Sequence, residues 1–379
     1  MTPRAVALVL ACALCAWRSP SPLAADSDWK DAAPGRRISL PADHRSHPDY
    51  RLEWWYYTGN LFAEGGRRFG YQLTFFRVGV NAVPPTPSRW AMRDLHMAHL
   101  TVTDVSSSSH VAAERLNRDG VGWAGASDTA YSVWNDDWSV TLDGRRHHLV
   151  ASAPDRGIGI DLRLLDRPPA LHGLGGFSQK GSSPGNASYY YSLTRMPTKG
   201  TIRAGGRAFA VTGASWMDHE FGTTFLEPHQ AGWDWFSLQL GDGRDLMVFQ
   251  LRGRDGSIDP RSSGTLVAAG GRARALDAAG IRLEPLRRWT SEASGATYPV
   301  EWRVELPGAG LALRVRAAVD TQELHGLPSG LTYWEGAIDV EGTANGAPVS
   351  GVGYLEMTGY GGTPLGHLMA RPPGLMQKP

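Results

Sequence analysis

The sequence has 379 residues, enough for two domains, because single hydrophobic cores usually stop growing beyond about 250 residues. Its 38 basic and 37 acidic residues give a net charge of +1, which excludes the clustered positive charge of a nucleic-acid-binding protein. The 46 glycines and 14 tryptophans are typical of β architectures with many tight turns.

The first 25 residues predict a secretory signal peptide. One positive charge, Arg4, precedes a short apolar run, and small residues follow up to Ala25, where we expect cleavage. The run is too short to span a bilayer and no later stretch is apolar enough, so we expect a periplasmic or secreted protein with no transmembrane segment after cleavage. Cys12 and Cys15 both lie in this segment, which leaves the mature chain without thiols. A lipoprotein modified at Cys12 is a disfavoured alternative, because the apolar run before that residue is only about half the usual length.

The rest of the chain predicts antiparallel β structure. Residues 26–48 are polar and predict an extended arm, and residues 53–61 and 69–77 predict a hairpin of aromatic strands. Further strands are predicted at 96–104, 138–142, 147–151, 159–164, 189–194 and 209–212. Because antiparallel strands must hide their edges, closure into barrels is favoured over open sheets. The glycine- and serine-rich segment 173–188 predicts a mobile loop that would suit a lid over a cavity.

The second half of the chain repeats the first. Residues 233–240 and 246–252 resemble the opening hairpin, and residues 351–356 parallel residues 213–218, with Tyr354 matching Trp216 and Glu356 matching Asp218. We therefore predict two similar β domains, at residues 49–222 and 223–366, with a tail at 367–379.

Residues 213–240 carry the densest group of acids and aromatic rings. On a strand, Asp218 and Glu220 share a face with Trp216, whereas His219 points to the other face. A carboxylic acid kept neutral by apolar surroundings can protonate an alkene, and nearby ring faces can stabilise the resulting cation. Asp218, His219 and Glu220 are therefore the candidate catalytic residues. All three can act at one site only if the strand bulges or ends here; otherwise the cluster is a structural junction of ion pairs.

Other catalytic chemistries have little support in the sequence. His96 and His99 are three residues apart, so they face opposite sides of a strand and cannot both bind one ion without a bend. The chain lacks a Gly-x-Ser-x-Gly nucleophile elbow. We therefore expect no metal site and no cofactor.

Four segments resemble the AttH-like proteins, which are similar to the carotenoid 1,2-hydratases (hydroxyneurosporene synthases) and are sometimes called secreted hydrolases. The segments are 53–59 (EWWYYTG), 69–77 (FGYQLTFFR), 216–221 (WMDHEF) and 353–360 (GYLEMTGY). The resemblance covers most of the mature chain and implies an all-β fold of two tandem lipocalin-like antiparallel β-barrels. In the hydratases the motif His is followed by Asn-Trp and a Tyr-x-Asp pair lies downstream. Here Glu220-Phe221 follows His219, and residues 245–251 contain no Tyr-x-Asp.

Several aromatic residues are candidates for binding an apolar ligand within this fold. Either they pack the barrels solid, or they line a cavity of the kind that lipocalin-like barrels use. We favour the cavity, by analogy with the family's architecture. The candidate ligand-binding residues are Trp55, Tyr57, Tyr71, Trp216, Phe221, Trp233 and Trp235.

The sequence therefore predicts a secreted or periplasmic lipocalin-like protein that binds a small hydrophobic molecule of isoprenoid or lipid type. It leaves open whether the protein is an enzyme that hydrates a C=C bond, as the resemblance to the carotenoid 1,2-hydratases implies. A second hypothesis is a non-catalytic carrier that serves an ABC-type export system, with a membrane transporter as its partner. A third is a secreted hydrolase, which rests on association alone.

Overall fold

The computed structural model describes residues 29–362, except residues 85, 184, 224 and 225. The predicted signal peptide, with Cys12 and Cys15, and the predicted tail lie outside the described residues. Within the described part, no helix is both long enough and apolar enough to cross a membrane.

The described chain is almost entirely β, and its strands form two antiparallel sheets. The strands of the first sheet are β1 Leu52–Ala63, β2 Arg68–Gly79, β3 Asp94–Asp104, β4 Ser109–Arg118, β5 Ala124–Ala126, β6 Ser132–Asn135, β7 Trp138–Asp143, β8 Arg146–Ala153, β9 Ile158–Leu165, β10 Ala170–Leu171, β11 Phe177–Gln179, β12 Ala187–Ala204 and β13 Arg207–Gly222. Those of the second sheet are β14 Gln230–Leu240, β15 Asp245–Gly253, β16 Ser263–Val267, β17 Ala273–Asp277, β18 Arg282–Thr290, β19 Thr297–Leu306, β20 Leu311–Ala317, β21 Glu323–Leu324, β22 Tyr333–Ala344 and β23 Ala347–Thr358. Short 3₁₀ turns lie at Ala42–His44, Glu64–Gly66, Val105–Ser107, Pro154–Arg156, Ala278–Gly280 and Pro307–Ala309.

The sheet topology confirms the predicted fold class. The first sheet runs in the order β4-β3-β2-β1-β13-β12-β9-β8-β7-β6-β5 and forms a nearly closed barrel. The second runs β17-β16-β15-β14-β23-β22-β20-β19-β18 and forms a half-barrel. The chain passes from the first sheet to the second between Gly222 and Gln230.

The two sheets repeat one arrangement of strands. In the first, the opening hairpin β1–β2 lies beside β13, and in the second β14–β15 lies beside β23. The register pairs Tyr56 with Asp218 in the first sheet and Trp235 with Glu356 in the second. Asp218 and Glu356 therefore occupy equivalent positions in the repeat.

Strand alternation divides the aromatic rings between two environments. Trp55 and Tyr57 on β1 point into the first barrel and are fully buried there, among aliphatic side chains of β8 and β9. Tyr56 points outward and packs against Trp235 of the second sheet, with ring centroids 5.2 Å apart. Burying each such ring contributes roughly 1.5–3 kcal/mol, so both the barrel interior and the junction between sheets stabilise the fold.

Residues 29–48 were expected to form an extended arm, but part of this segment is built into the first barrel. The turn Ala42–His44 buries Asp43 and His44, and the Trp55 indole donates a hydrogen bond of 2.9 Å to the His44 carbonyl. The sequence did not predict this contact, because the segment is polar and its buried residues form hydrogen bonds instead of apolar contacts.

Candidate active site between the two sheets

A cleft lies between the outer face of the first sheet and the facing side of the second, where Asp218 and Glu220 meet residues of the second half of the chain. It encloses about 70 Å³ and is open on one side. Its lining consists of Trp54, Tyr56, Gln72, Thr74, Phe76, Lys180, Tyr190, Asp218, Glu220, Leu226, Trp233, Trp235, Phe249, Leu251 and Glu356. Seven of these fifteen residues are aromatic, and polar groups converge on the cleft from both sheets, as in small-molecule sites.

Asp218 is the most completely hydrogen-bonded acid of the cleft. Its carboxyl group accepts hydrogen bonds from the Tyr190 hydroxyl at 2.5 Å, the Trp216 indole at 2.6 Å and the Ser192 hydroxyl. Burial raises the pKa of Asp218 to about 7, although these three hydrogen bonds oppose the rise. A carboxyl with such a pKa can carry a proton near neutral pH and release it during a reaction.

Two acids of the second sheet show the same shift. Burial raises the pKa of Glu356 to about 8, against a hydrogen bond from Trp233 and with the charges of Asp218 and Glu220 adding to the rise. Burial and the neighbouring Glu356 hold the pKa of Glu335 well above its usual range, and Glu335 accepts a hydrogen bond of 2.7 Å from Tyr56. The charges of Asp218, Glu335 and Glu356 disfavour one another, which favours the neutral form of these acids.

Glu220 differs from these acids because it has a cationic partner. Lys180 lies 3.0 Å from its carboxylate, and the Ser188 hydroxyl donates to the same oxygen. Lys180 also lies over the rings of Tyr190 and Phe249, at 4.8 and 4.3 Å from their centroids. The segment 173–188, predicted as a mobile loop, places this lysine at the cleft and pairs through β11 with β12.

His219 lies on the opposite side of β13 from the cleft. The β1–β13 register runs unbroken from Gly222 to Val211, so no bulge turns His219 toward Asp218 and Glu220. Inside the first barrel, its Nε2 lies 2.9 Å from Glu53 Oε1 and its Nδ1 lies 3.0 Å from the Tyr191 hydroxyl. The structure thus brings together two of the three predicted catalytic residues and separates the third.

Glu53 is the centre of this second network. It also accepts hydrogen bonds from Ser46, His47 and Arg77, and Arg77 in turn contacts Asp94 at 3.1 Å. Burial alone would raise the pKa of Glu53, but the charge of His47 and these hydrogen bonds hold it well below its usual range. His219 therefore belongs to an ion-pair network that fixes residues 46–47 to the barrel.

The predicted ligand-binding residues fall into three places. Trp233 and Trp235 line the cleft, and Trp216 lies beside it, with its ring centroid 6.2 Å from that of Trp235. Phe221 packs against the N-terminal segment, stacked on His47 with centroids 3.6 Å apart. The others, Trp55, Tyr57 and Tyr71, are fully buried in the core of the first barrel.

His96 and His99 also lie apart. Both ring nitrogens of His99 have partners, the Tyr333 hydroxyl at 2.6 Å and Glu114 at 2.9 Å. The carbonyl of His96 accepts from Asn135, and burial lowers the pKa of its ring to about 4. The two histidines do not form one ligand set.

Sequence reasoning missed several residues of the cleft. We did not predict a role for Tyr190, which belongs to a run of three tyrosines, or for Lys180, which is one of four lysines in the chain. Glu335 carries no local motif. Glu356 was noted only as the counterpart of Asp218, and the two facing sheets bring both to the same cleft.

Comparison with known proteins identifies the family. The AttH-like family profile matches residues 31–360. The chain belongs to the AttH-like family. A solved AttH structure from Nitrosomonas europaea is 34% identical and has a TM-score of 0.79, with 88% of this chain and 99% of that chain covered. The resemblance read from the four sequence segments is thereby confirmed.

Two further relatives of this AttH-like chain are named as hydratases. Kievitone hydratase of Fusarium solani subsp. phaseoli is 23% identical over 214 residues, which span 55% of this chain and only 59% of that relative's length. The solved kievitone hydratase from Nectria haematococca shares the fold with a TM-score of 0.65, at 15% identity, over 87% of this chain and 95% of that one.

Proposed function

We propose that this protein is a hydratase that adds water to a C=C bond of a small hydrophobic molecule bound in the cleft between the sheets. The observation that carries the proposal is the pair of equivalent acids, Asp218 and Glu356, whose pKa values are raised to about 7 and about 8 at an aromatic surface. A hydratase needs a neutral acid beside an apolar substrate, and this pair supplies one from each sheet.

The first step is protonation of the alkene. The Asp218 carboxyl transfers its proton to one alkene carbon, the π bond breaks, and the other carbon becomes cationic. The faces of Trp54, Trp233 and Trp235 line the same cleft, and their quadrupoles stabilise a cation within about 6 Å. The Tyr190 hydroxyl, which itself accepts from the Trp235 indole at 2.9 Å, stabilises the Asp218 carboxylate left behind.

The second step is addition of water. A water oxygen forms the new C–O bond, and the surplus proton of that water passes to the Glu220 carboxylate. The ion pair with Lys180 holds this carboxylate at the cleft, where it can accept the proton. Proton exchange with solvent at the open side of the cleft restores the neutral acid and the carboxylate. Substrate and one water are consumed and one alcohol is formed, so no cofactor is required.

Two features support this reaction over simple binding. Carboxylic acids are costly to bury without cationic partners, and Asp218 and Glu356 carry that cost where they line the cleft. Relatives named kievitone hydratase have the same fold, one over 95% of its length. The carrier and its transporter partner stay predictions from the sequence, as do secretion and the periplasm.

The test is turnover by the purified mature chain of kievitone and of a panel of isoprenoid alkenes, followed as the gain of one water by mass spectrometry. We expect one class to be hydrated and Asp218→Asn to lower turnover at least 100-fold, in line with the usual contribution of a general acid. Asp245→Asn is the matched control, because Asp245 is equally buried, at 4%, but binds Thr194 and Arg195 away from the cleft. Binding with no hydration of any compound would favour the non-catalytic carrier.

A further inference from the structure

Three side chains that are distant in sequence converge inside the first barrel, away from the cleft. They are His44 on the N-terminal turn, His147 on β8 and Asp166 just after β9. Their candidate ligand atoms all lie within 4.8 Å of one another. Both histidines are fully buried, and the Asp166 side chain is 17% exposed, which leaves a route from solvent.

The atoms that face one another in this cluster have no hydrogen-bond partner among the described residues. These atoms are His44 Nε2, His147 Nε2 and Asp166 Oδ1. The separation between His147 Nε2 and Asp166 Oδ1 is 3.8 Å, too long for a hydrogen bond. Buried polar atoms without a partner destabilise a fold, so three at one point indicate that a bound group satisfies them.

Tyrosine hydroxyls hold the other nitrogen of each ring. His44 Nδ1 lies 2.7 Å from the Tyr191 hydroxyl, which also lies 3.0 Å from the Asp43 carbonyl and 3.0 Å from His219 Nδ1. When the hydroxyl donates its hydrogen to the Asp43 carbonyl, His44 Nδ1 carries the ring's hydrogen. His44 Nε2 then presents a lone pair. His147 Nδ1 lies 2.8 Å from the Tyr57 hydroxyl, which orients that ring in the same way. Histidine ligands of metals are characteristically oriented by a hydrogen bond at the second nitrogen.

The spacing suits a first-row transition metal. Zinc bonds to nitrogen and oxygen ligands at about 2.0–2.2 Å, so tetrahedral ligand atoms lie roughly 3.4 Å apart. His147 Nε2 and Asp166 Oδ1 are 3.8 Å apart, and all three ligand atoms lie within 4.8 Å of one another. Two histidines and one carboxylate leave a fourth position for water.

A neighbouring cluster of the same composition provides an internal contrast. His47, Glu53 and His219 also come within 4.8 Å of one another. There, however, His47 Nδ1 and His219 Nε2 lie 2.8 and 2.9 Å from Glu53 Oε1, so the ligand atoms satisfy each other. Each cluster has two histidines and one carboxylate. Of these two clusters of described residues, the one formed by His44, His147 and Asp166 is the one whose facing atoms have no hydrogen-bond partner.

We propose that His44, His147 and Asp166 bind a divalent transition metal, represented by zinc, which ties the N-terminal segment to β8 and β9. We expected no metal site from the sequence, because His96 and His99 face opposite sides of one strand. Residues 44, 147 and 166 meet only through the barrel, so no local motif reveals them.

The test is zinc binding to the full mature chain after chelator treatment, measured by titration calorimetry, metal analysis and thermal unfolding. We expect one zinc per chain and a rise in Tm, because a ligand that binds only the folded state stabilises it. Asp166→Asn should weaken binding at least tenfold while keeping the fold, since the side chain is partly exposed. Asp161→Asn is the control, because Asp161 contacts the exposed His148 at 2.8 Å, and it should bind zinc like the wild type.

Cobalt gives a second readout. Visible absorbance of the cobalt-loaded chain reports the nitrogen and oxygen ligands directly, and we expect Asp166→Asn to change it and Asp161→Asn not to. Absence of stoichiometric zinc from the wild type, or unchanged affinity and cobalt spectrum in Asp166→Asn, would overturn the proposal.

Discussion

The interior of the first barrel and the cleft between the sheets are both rich in ionisable groups, but they shift acids in opposite directions. In the barrel, the pKa of Glu53 is well below its usual range and that of Asp43 is about 2, because His47 and arginines outweigh the effect of burial. In the cleft, burial wins, and Asp218 and Glu356 are raised to about 7 and about 8. Ion pairs stabilise the acids inside the barrel, whereas Asp218 and Glu356 in the proposed site have no cationic partner among the described residues, in contrast to Glu220, which pairs with Lys180.

The largest expected effect is the loss of charge pairing in the barrel. Glu53→Gln removes the carboxylate that pairs with His47 and one of the two carboxylates that pair with Arg77, which is 2% exposed and keeps only Asp94. Breaking a buried pair in this way costs about 3–5 kcal/mol of unfolding free energy. The same acid-to-amide change at Asp218 should cost less, because it breaks no ion pair, although the amide nitrogen cannot accept the hydrogen bonds that one carboxyl oxygen accepts. Urea unfolding of both variants measures the contrast; equal losses would contradict it.

Relative stability should also depend on pH. The folded pKa of Asp218 is above its unfolded value of 3.8, so the stability it contributes is complete below 3.8 and is lost as pH rises through about 7. The pKa of Asp43 is lowered rather than raised, so the stability that Asp43 contributes is lost as pH falls through about 2. We therefore expect the unfolding free energy of Asp218→Asn to rise relative to wild type between pH 4 and pH 7. A difference independent of pH across that interval would show that Asp218 is ionised in the folded protein.

A smaller effect is expected for Trp235→Phe. The change removes the indole hydrogen bond to the Tyr190 hydroxyl but keeps a ring at the cleft. We expect ligand affinity to fall by several-fold, in line with about 1 kcal/mol for one hydrogen bond. Quenching of tryptophan fluorescence by a polyene gives the affinity, and Trp302→Phe, in the core of the second half-barrel, is the control. An equal loss of affinity in both variants would indicate a general effect on the fold.

The fold was readable from sequence to a greater extent than the site. Period-two alternation, which is a local property, predicts the aromatic hairpin and its repetition. It also predicts that Asp218 and Glu356 occupy equivalent positions in the two halves. The long strands β12 and β13 were predicted only in pieces, because glycines and prolines such as Pro197 and Gly200 resemble turns. A bulge in the pairing of β12 with β13 between Leu193 and Met196 accommodates such a long strand.

The site depended on how the sheets face each other, which no local pattern contains. Alternation correctly placed Asp218 and Glu220 on one face and His219 on the other. It could not reveal that Lys180 pairs with Glu220, or that Tyr190 binds Asp218, since these contacts join different strands and loops. Nor did it show that the N-terminal segment supplies His44 and His47 to the barrel.

Asp218 acts as the proton donor only if its carboxyl group still carries a proton near neutral pH, and its titration tests this without knowledge of the substrate. The signal is the carboxyl carbon of Asp218 in ¹³C NMR, assigned by comparison with Asp218→Asn, followed as a function of pH. We predict a midpoint of about 7, moved upward in Tyr190→Phe, because that variant lacks a hydrogen bond that lowers the pKa. A midpoint near the ordinary value of 3.8, unchanged in Tyr190→Phe, would contradict the account.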